Sequence, residues 1–120
     1  MLNQLPQTAN LPVDDVLHAI ADPTRRAIVD RLSRGPASVT ELAQPLAITL
    51  SAVVQHLHVL EASGLVRSQK VGRVRTCSIE PAALATLERW INERRAAWEQ
   101  HLDRLGAFLA EPEPPSEPQP

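Results

Sequence analysis

Residues 38–79, SVTELAQPLAITLSAVVQHLHVLEASGLVRSQKVGRVRTCSI, decide how the rest of the chain is read. Val39, Leu42, Ala43 and Leu46 recur at helical spacing, and Ser38 followed by Glu41 has the spacing of a capping box. Pro45 keeps that helix short or distorted, because it lacks the N–H a helix interior needs. Thr49 is placed to cap a second helix, LSAVVQHLHVLEAS, which turns Val53, Leu57 and Leu60 inward and leaves Ser51, Gln55 and His58 outside. Gly64 supplies the left-handed residue past its end, with Leu65 packing back. LVRSQKV and RVRTCSI then read as β-segments around Val71-Gly72-Arg73, a hairpin whose tip carries Lys70 and Arg73. Its second strand sends Val74, Thr76 and Ser78 one way and Arg73, Arg75 and Cys77 the other.

Two helices joined by a tight turn and followed by a basic hairpin are the parts of a winged helix-turn-helix. In that arrangement the second helix enters the major groove, and a basic ribbon beside it reaches the backbone or the minor groove. The expected fold class is mainly α: four helices, a two-stranded wing hairpin and a long C-terminal dimerisation helix. Upstream, Val13, Val16, Leu17 and Ile20 form one apolar helix face, and Asp22-Pro23 restarts the chain as N-cap and first helical residue. PTRRAIVDRLSR then buries Ala27, Ile28 and Leu32 and stops at Gly35-Pro36. Arg25 and Arg26 open that helix, where the dipole disfavours cations, so either an anion or a structural contact should balance them.

Downstream, Glu80-Pro81 starts a last helix with an apolar stripe of Leu84, Leu87, Ile91, Trp98, Leu102, Leu105 and Leu109, close to a coiled-coil repeat. From 82 to 110 such a helix is about 40 Å long, more than one small core can cover, whereas a second copy can cover it. The expected organisation is a flexible arm over 1–12, a winged-helix domain over 13–80, a dimerisation helix over 81–110 and a disordered Pro/Glu tail over 111–120.

Composition bounds the function. The 120 residues leave room for one domain, and the lone Cys77 cannot form an intramolecular disulfide, which suits a reducing compartment. The first residues carry neither a positive region nor a long apolar run, and no stretch approaches membrane-spanning length. A cytoplasmic protein with no membrane partner is expected. Net charge is −2, but removing the three glutamates after Ala110 turns this into +1. Arg67, Lys70, Arg73 and Arg75 lie between Ala62 and Ile79 with no acid among them, and phosphate responds to that local potential. No phosphate loop, nucleophile elbow or paired acid and base points to an enzyme.

From Leu17 to Leu84 the chain resembles the ArsR-type (arsenic-repressor-like) winged-helix repressors. The resemblance is carried by IADPTRRAIVDRLSRG at 20–35, VTELAQPL at 39–46, HLHVLEASGLV at 56–66 and VGRVRTCSI at 71–79. It implies dimerisation through the first and last helices. It also implies metal sensing in some members, through a Cys-x-Cys site in the third helix or an Asp, His and Glu set on the last. Here the first place reads Glu41-Leu42-Ala43-Gln44, and the last helix offers only His101, Asp103 and scattered glutamates. Cys77 stands where a wing tyrosine is common, and Val54 where a serine is frequent. WINERRAAWEQHLDRL at 90–105 resembles a branch lacking the metal sites, so neither metal nor cofactor is expected.

The residues and the resemblance together give the expected function: a sequence-specific DNA-binding transcriptional regulator acting as a homodimeric repressor on an inverted-repeat operator in double-stranded DNA. Gln55 is the candidate for a bidentate adenine contact, and Thr49 and Ser51 suit a phosphate at a helix N-terminus. His58 faces DNA; His56 braces the wing or meets a phosphate; Lys70, Arg73 and Arg75 are the wing cations. The dimer interface is assigned to Val16, Leu17, Ile20, Leu84, Leu87, Ile91, Trp98, Leu102 and Leu105. A small-molecule or protein inducer would relieve repression. The alternatives are a winged-helix protein-interaction module, or a repressor with an atypical sensor. That sensor would be an intersubunit metal site drawn from Asp14, His18, His101 and Asp103, or the Cys77 thiol.

Overall fold

The structure, a computed structural model, describes residues 12–112. The expected arm lies outside the described residues up to 11, and the expected tail lies outside them from 113 onward. Five helices and three strands follow in the order α1 (Pro12–Ala19), α2 (Pro23–Leu32), β1 (Ala37–Ser38), α3 (Val39–Leu46), α4 (Leu50–Ala62), β2 (Val66–Val71), β3 (Val74–Ile79) and α5 (Pro81–Ala110).

Local chemistry accounts for the boundaries. The Asp22 carboxylate accepts the Arg25 backbone N–H at 3.0 Å, with Pro23 opening α2. Ser38 and Glu41 form a reciprocal capping box, at 2.8 and 3.2 Å. Pro45 sits in the last turn of α3, and the chain leaves the helix at once through Ala47, whose φ of 53° is left-handed without glycine's freedom. Thr49 Oγ1 accepts the Ala52 N–H at 3.1 Å and starts α4. At the other end Gly64, at φ 83°, lets its own N–H reach the Glu61 carbonyl and the Leu65 N–H reach that of Leu60. This is a Schellman closure that stops α4 and aims the chain into the wing.

Arg25 and Arg26 need no anion. Arg25 Nε donates to the Ala19 carbonyl at 2.6 Å and Arg26 to that of Ile20 at 2.8 Å, so both cations close the C-terminal end of α1.

The sheet has one strand more than the expected hairpin. Its order is β1-β3-β2, all antiparallel, with Ala37 opposite Cys77 and Ser38 opposite Thr76. The hairpin register runs from Val66 opposite Ile79 to Val71 opposite Val74. Two residues are too few to show alternation, and Ser38 is already extended because it caps α3.

The core is built from Ile28, Leu32, Leu42, Val53, Leu57, Leu60, Leu65 and Val66, with Cys77 and Ala83 closing its edge. Val16 corrects the interface assignment: at 2 % exposure it belongs to this core and has no surface left for a partner. Ile20 and Leu87 also pack against the core but stay half-buried, as does Leu17.

The chain forms two compact units that divide within α5, one ending at Glu88 and one beginning at Arg89. In the first unit Ala83 is buried and Leu84 is exposed. In the second, Ile91, Trp98, Leu102, Leu105, Phe108 and Leu109 are 44–72 % exposed. Arg94 lies over the Trp90 ring at 4.9 Å, and Trp98 stacks on His101 at 5.4 Å. Among the described residues, no helix is long and apolar enough to cross a membrane.

Candidate nucleic-acid interface

α4 is held at both ends by its caps and along one side by Val53, Leu57 and Leu60, which are fully buried. The opposite face presents Ser51, Gln55 and His58 to solvent. A helix seated this firmly holds its polar face in one orientation, which direct readout of base edges requires. Thr49 spends its side-chain oxygen on the cap, while its place at the helix start leaves N–H groups free for a phosphate. Leu50, absent from the outward set that the sequence suggests, is 52 % exposed at the first position of α4. Half-buried Val54 lies one turn further on, and their i, i+4 spacing was the available signal.

His56 lies on another side. It is half-buried, and its Nδ1 is 3.9 Å from Asp22 Oδ2, so it approaches the N-cap of α2 instead of sharing the exposed face of Ser51, Gln55 and His58. The Arg25 backbone N–H holds the Asp22 carboxyl below its usual range, against some desolvation, with Arg25 and His56 adding attraction.

The wing's four cations divide into two classes. Lys70 and Arg73 are exposed, Arg73 in the tight turn that Gly72 allows at φ 63°, and neither takes part in an ion pair among the described residues. Arg67 pairs with Glu80 at 3.3 Å. Arg75 departs from the expected phosphate contact: its NH2 nitrogen bonds Glu61 Oε1 and Oε2 at 2.8 and 2.7 Å, and its Nε donates to Ser68 Oγ at 2.9 Å. Ser68 in turn donates to Glu61 Oε1. Burial pushes the Glu61 carboxyl up, but bonds from Ser68 and Arg75 outweigh it and leave it below its usual range. Arg75's charge is therefore spent inside the protein.

Cys77 is fully buried, and that burial pushes its thiol up, against the opposing pull of Arg75. It packs as a small core residue. The third-helix stretch does not fit a thiolate metal site: Glu41 is committed to the capping box, Leu42 and Ala43 are buried apolar groups, and no sulfur is present. Among the described residues, no group of three or more His, Cys, Asp or Glu side chains could hold a metal ion.

The model of a helix-turn-helix domain family matches residues 20–69. The HTH-type transcriptional regulator Rv2034 of Mycobacterium tuberculosis is 46 % identical over 74 residues, spanning 62 % of this chain and 69 % of that protein. The crystal structure of an ArsR family transcriptional regulator, RHA00566, aligns with a TM-score of 0.70 at 47 % identity, covering 74 % of this chain and 98 % of that one. An ArsR-like transcriptional regulator from Rhodococcus sp. RHA1 aligns with a TM-score of 0.71 at 33 % identity, over 83 % and 93 % of the two chains.

Proposed function

Because the chain belongs to the ArsR family of helix-turn-helix transcriptional regulators, we propose that this DNA-binding regulator works as a homodimeric repressor on an inverted-repeat operator. The observation that carries the reading is the capped, core-seated α4, with Ser51, Gln55 and His58 outward, together with the exposed wing cations Lys70 and Arg73. Gln55 reads an adenine edge, Ser51 and the first N–H groups of α4 hold phosphate, and His58 extends the same face. Leu50 and Val54 add apolar surface suited to a thymine methyl group. Lys70 and Arg73 grip the flanking backbone or minor groove. His56 and Arg75 leave the contact set for the partners described above.

The exposed apolar residues of α5 support the second copy, and a two-fold pair of α4 helices would address half-sites about one helical turn apart. A dimer of this kind represses by occupying a promoter in the cytoplasm. An inducer relieves it by binding the free dimer more tightly than the DNA-bound one.

Gln55→Ala tests the readout. Fluorescence anisotropy should show affinity for a duplex enriched from a random library falling by roughly tenfold to a hundredfold, the worth of one bidentate base contact. Affinity for a scrambled duplex should hardly change. Equal loss on both duplexes would remove Gln55 from base recognition.

A further inference from the structure

We infer that Glu61, Ser68 and Arg75 form a latch that sets the wing's angle to α4, and that Arg75 serves DNA binding by positioning the wing rather than by touching phosphate. The inference rests on the DNA-binding reading above and assigns a role within that interface.

Three elements meet on one carboxylate. Glu61 lies in the last turn of α4, Ser68 on β2 and Arg75 on β3. Arg75 bonds both Glu61 oxygens, and Ser68 bridges by donating to Glu61 while accepting from Arg75 Nε. A planar guanidinium held at two oxygens and a third atom has little freedom to rotate, unlike a single-point ion pair. The side chains of Arg75 and Glu61 are only 32 % and 23 % exposed, so salt screens the contact less than a surface pair.

The latch's place along the hairpin gives it leverage. At the base, Val66 and Cys77 are anchored in the core, and β1 pairs with β3 no further out than Thr76. Beyond Ser68 on one strand and Arg75 on the other, Gln69, Lys70, Val71, Gly72, Arg73 and Val74 are all exposed. A bare two-stranded hairpin is marginally ordered. Among the side-chain hydrogen bonds and ion pairs of the described residues, the latch is therefore the outermost that ties the hairpin to another element before the tip that carries Lys70 and Arg73. Its other end is on the helix that carries Gln55, six residues or about 9 Å along the axis from Glu61. Base readout and backbone grip thus share one rigid reference.

The two roles for Arg75 predict opposite signs for Glu61→Ala in the full chain. If Arg75 touched phosphate, deleting an acid beside it would free a cation and tighten DNA binding. If the latch positions the wing, the same change releases the tip and weakens the enriched duplex, by roughly tenfold, despite the lost negative charge. Arg75→Ala should weaken binding similarly, and the exchanged pair Glu61→Arg with Arg75→Glu should recover part of the loss. Hydroxyl-radical footprints of Glu61→Ala should lose flanking protection while keeping the central major-groove protection. Circular dichroism confirms folding, and Ser68→Ala, a smaller change, substitutes if a charge variant fails to fold. Unchanged or tighter binding by Glu61→Ala, or a footprint with its flanks intact, overturns the latch. A wild-type protein that prefers no duplex overturns the DNA-binding reading itself, before any variant is compared.

Discussion

Leu102→Glu is expected to turn the proposed dimer into monomers and to lower affinity for the enriched duplex by roughly 10²- to 10⁴-fold, the range lost when two linked binding sites become independent. Leu102 is 44 % exposed in a region of α5 whose other large apolar side chains, Trp98, Leu105, Phe108 and Leu109, are also exposed. Covering one leucine is worth about 1.5–3 kcal/mol, and a carboxylate in its place would have to be stripped of water without a partner. The fold should survive, since glutamate is a good helix former and the core lies elsewhere. Analytical ultracentrifugation at micromolar concentration distinguishes the outcomes. A variant that sediments as a dimer would show that this stretch of α5 is not the interface.

Leu57→Ala carries the second large effect. Leu57 is fully buried in the core, two residues from Gln55 on the other side of α4. Truncating such a leucine destabilises by about 2–5 kcal/mol, against a total stability on the order of 5–15 kcal/mol for a domain. Thermal melting should shift down sharply, and DNA binding near the new midpoint should fall with the folded fraction. Well below the midpoint, the preference for the enriched duplex should persist, because the readout face is untouched. A melting curve like the wild type's would take Leu57 out of the core.

What the sequence made legible was mostly local. Asp22, Ser38 with Glu41, Thr49 and Gly64 each act within a few residues of chain, so spacing alone exposed their roles. The buried and exposed faces of α4 followed from helical periodicity in the same way. Where the decisive partner is remote in sequence, the pattern was silent. Arg75 looked like its neighbour Arg73 because alternation names a face but not the glutamate 14 residues upstream that waits there. His56 and Asp22, and the pairing of Ala37 with Cys77, are invisible for the same reason. Val16 shows a further gap: an apolar helix face marks burial, but not whether the burying surface is the protomer's own core or a second copy. The polar face of α4 and the exposed, basic wing tip together account for the proposed interface better than the overall negative charge would suggest.

The central claim is that this face reads DNA sequence. Its most direct test is an anisotropy titration of the wild-type protein against the enriched duplex and a scrambled duplex, each at two salt concentrations. The enriched duplex should bind tighter by at least about a thousandfold. Affinity for both duplexes should fall as salt rises, and Arg73→Ala should make that fall less steep by about one phosphate contact. Equal affinity for the two duplexes, or a salt dependence that ignores Arg73, would contradict it.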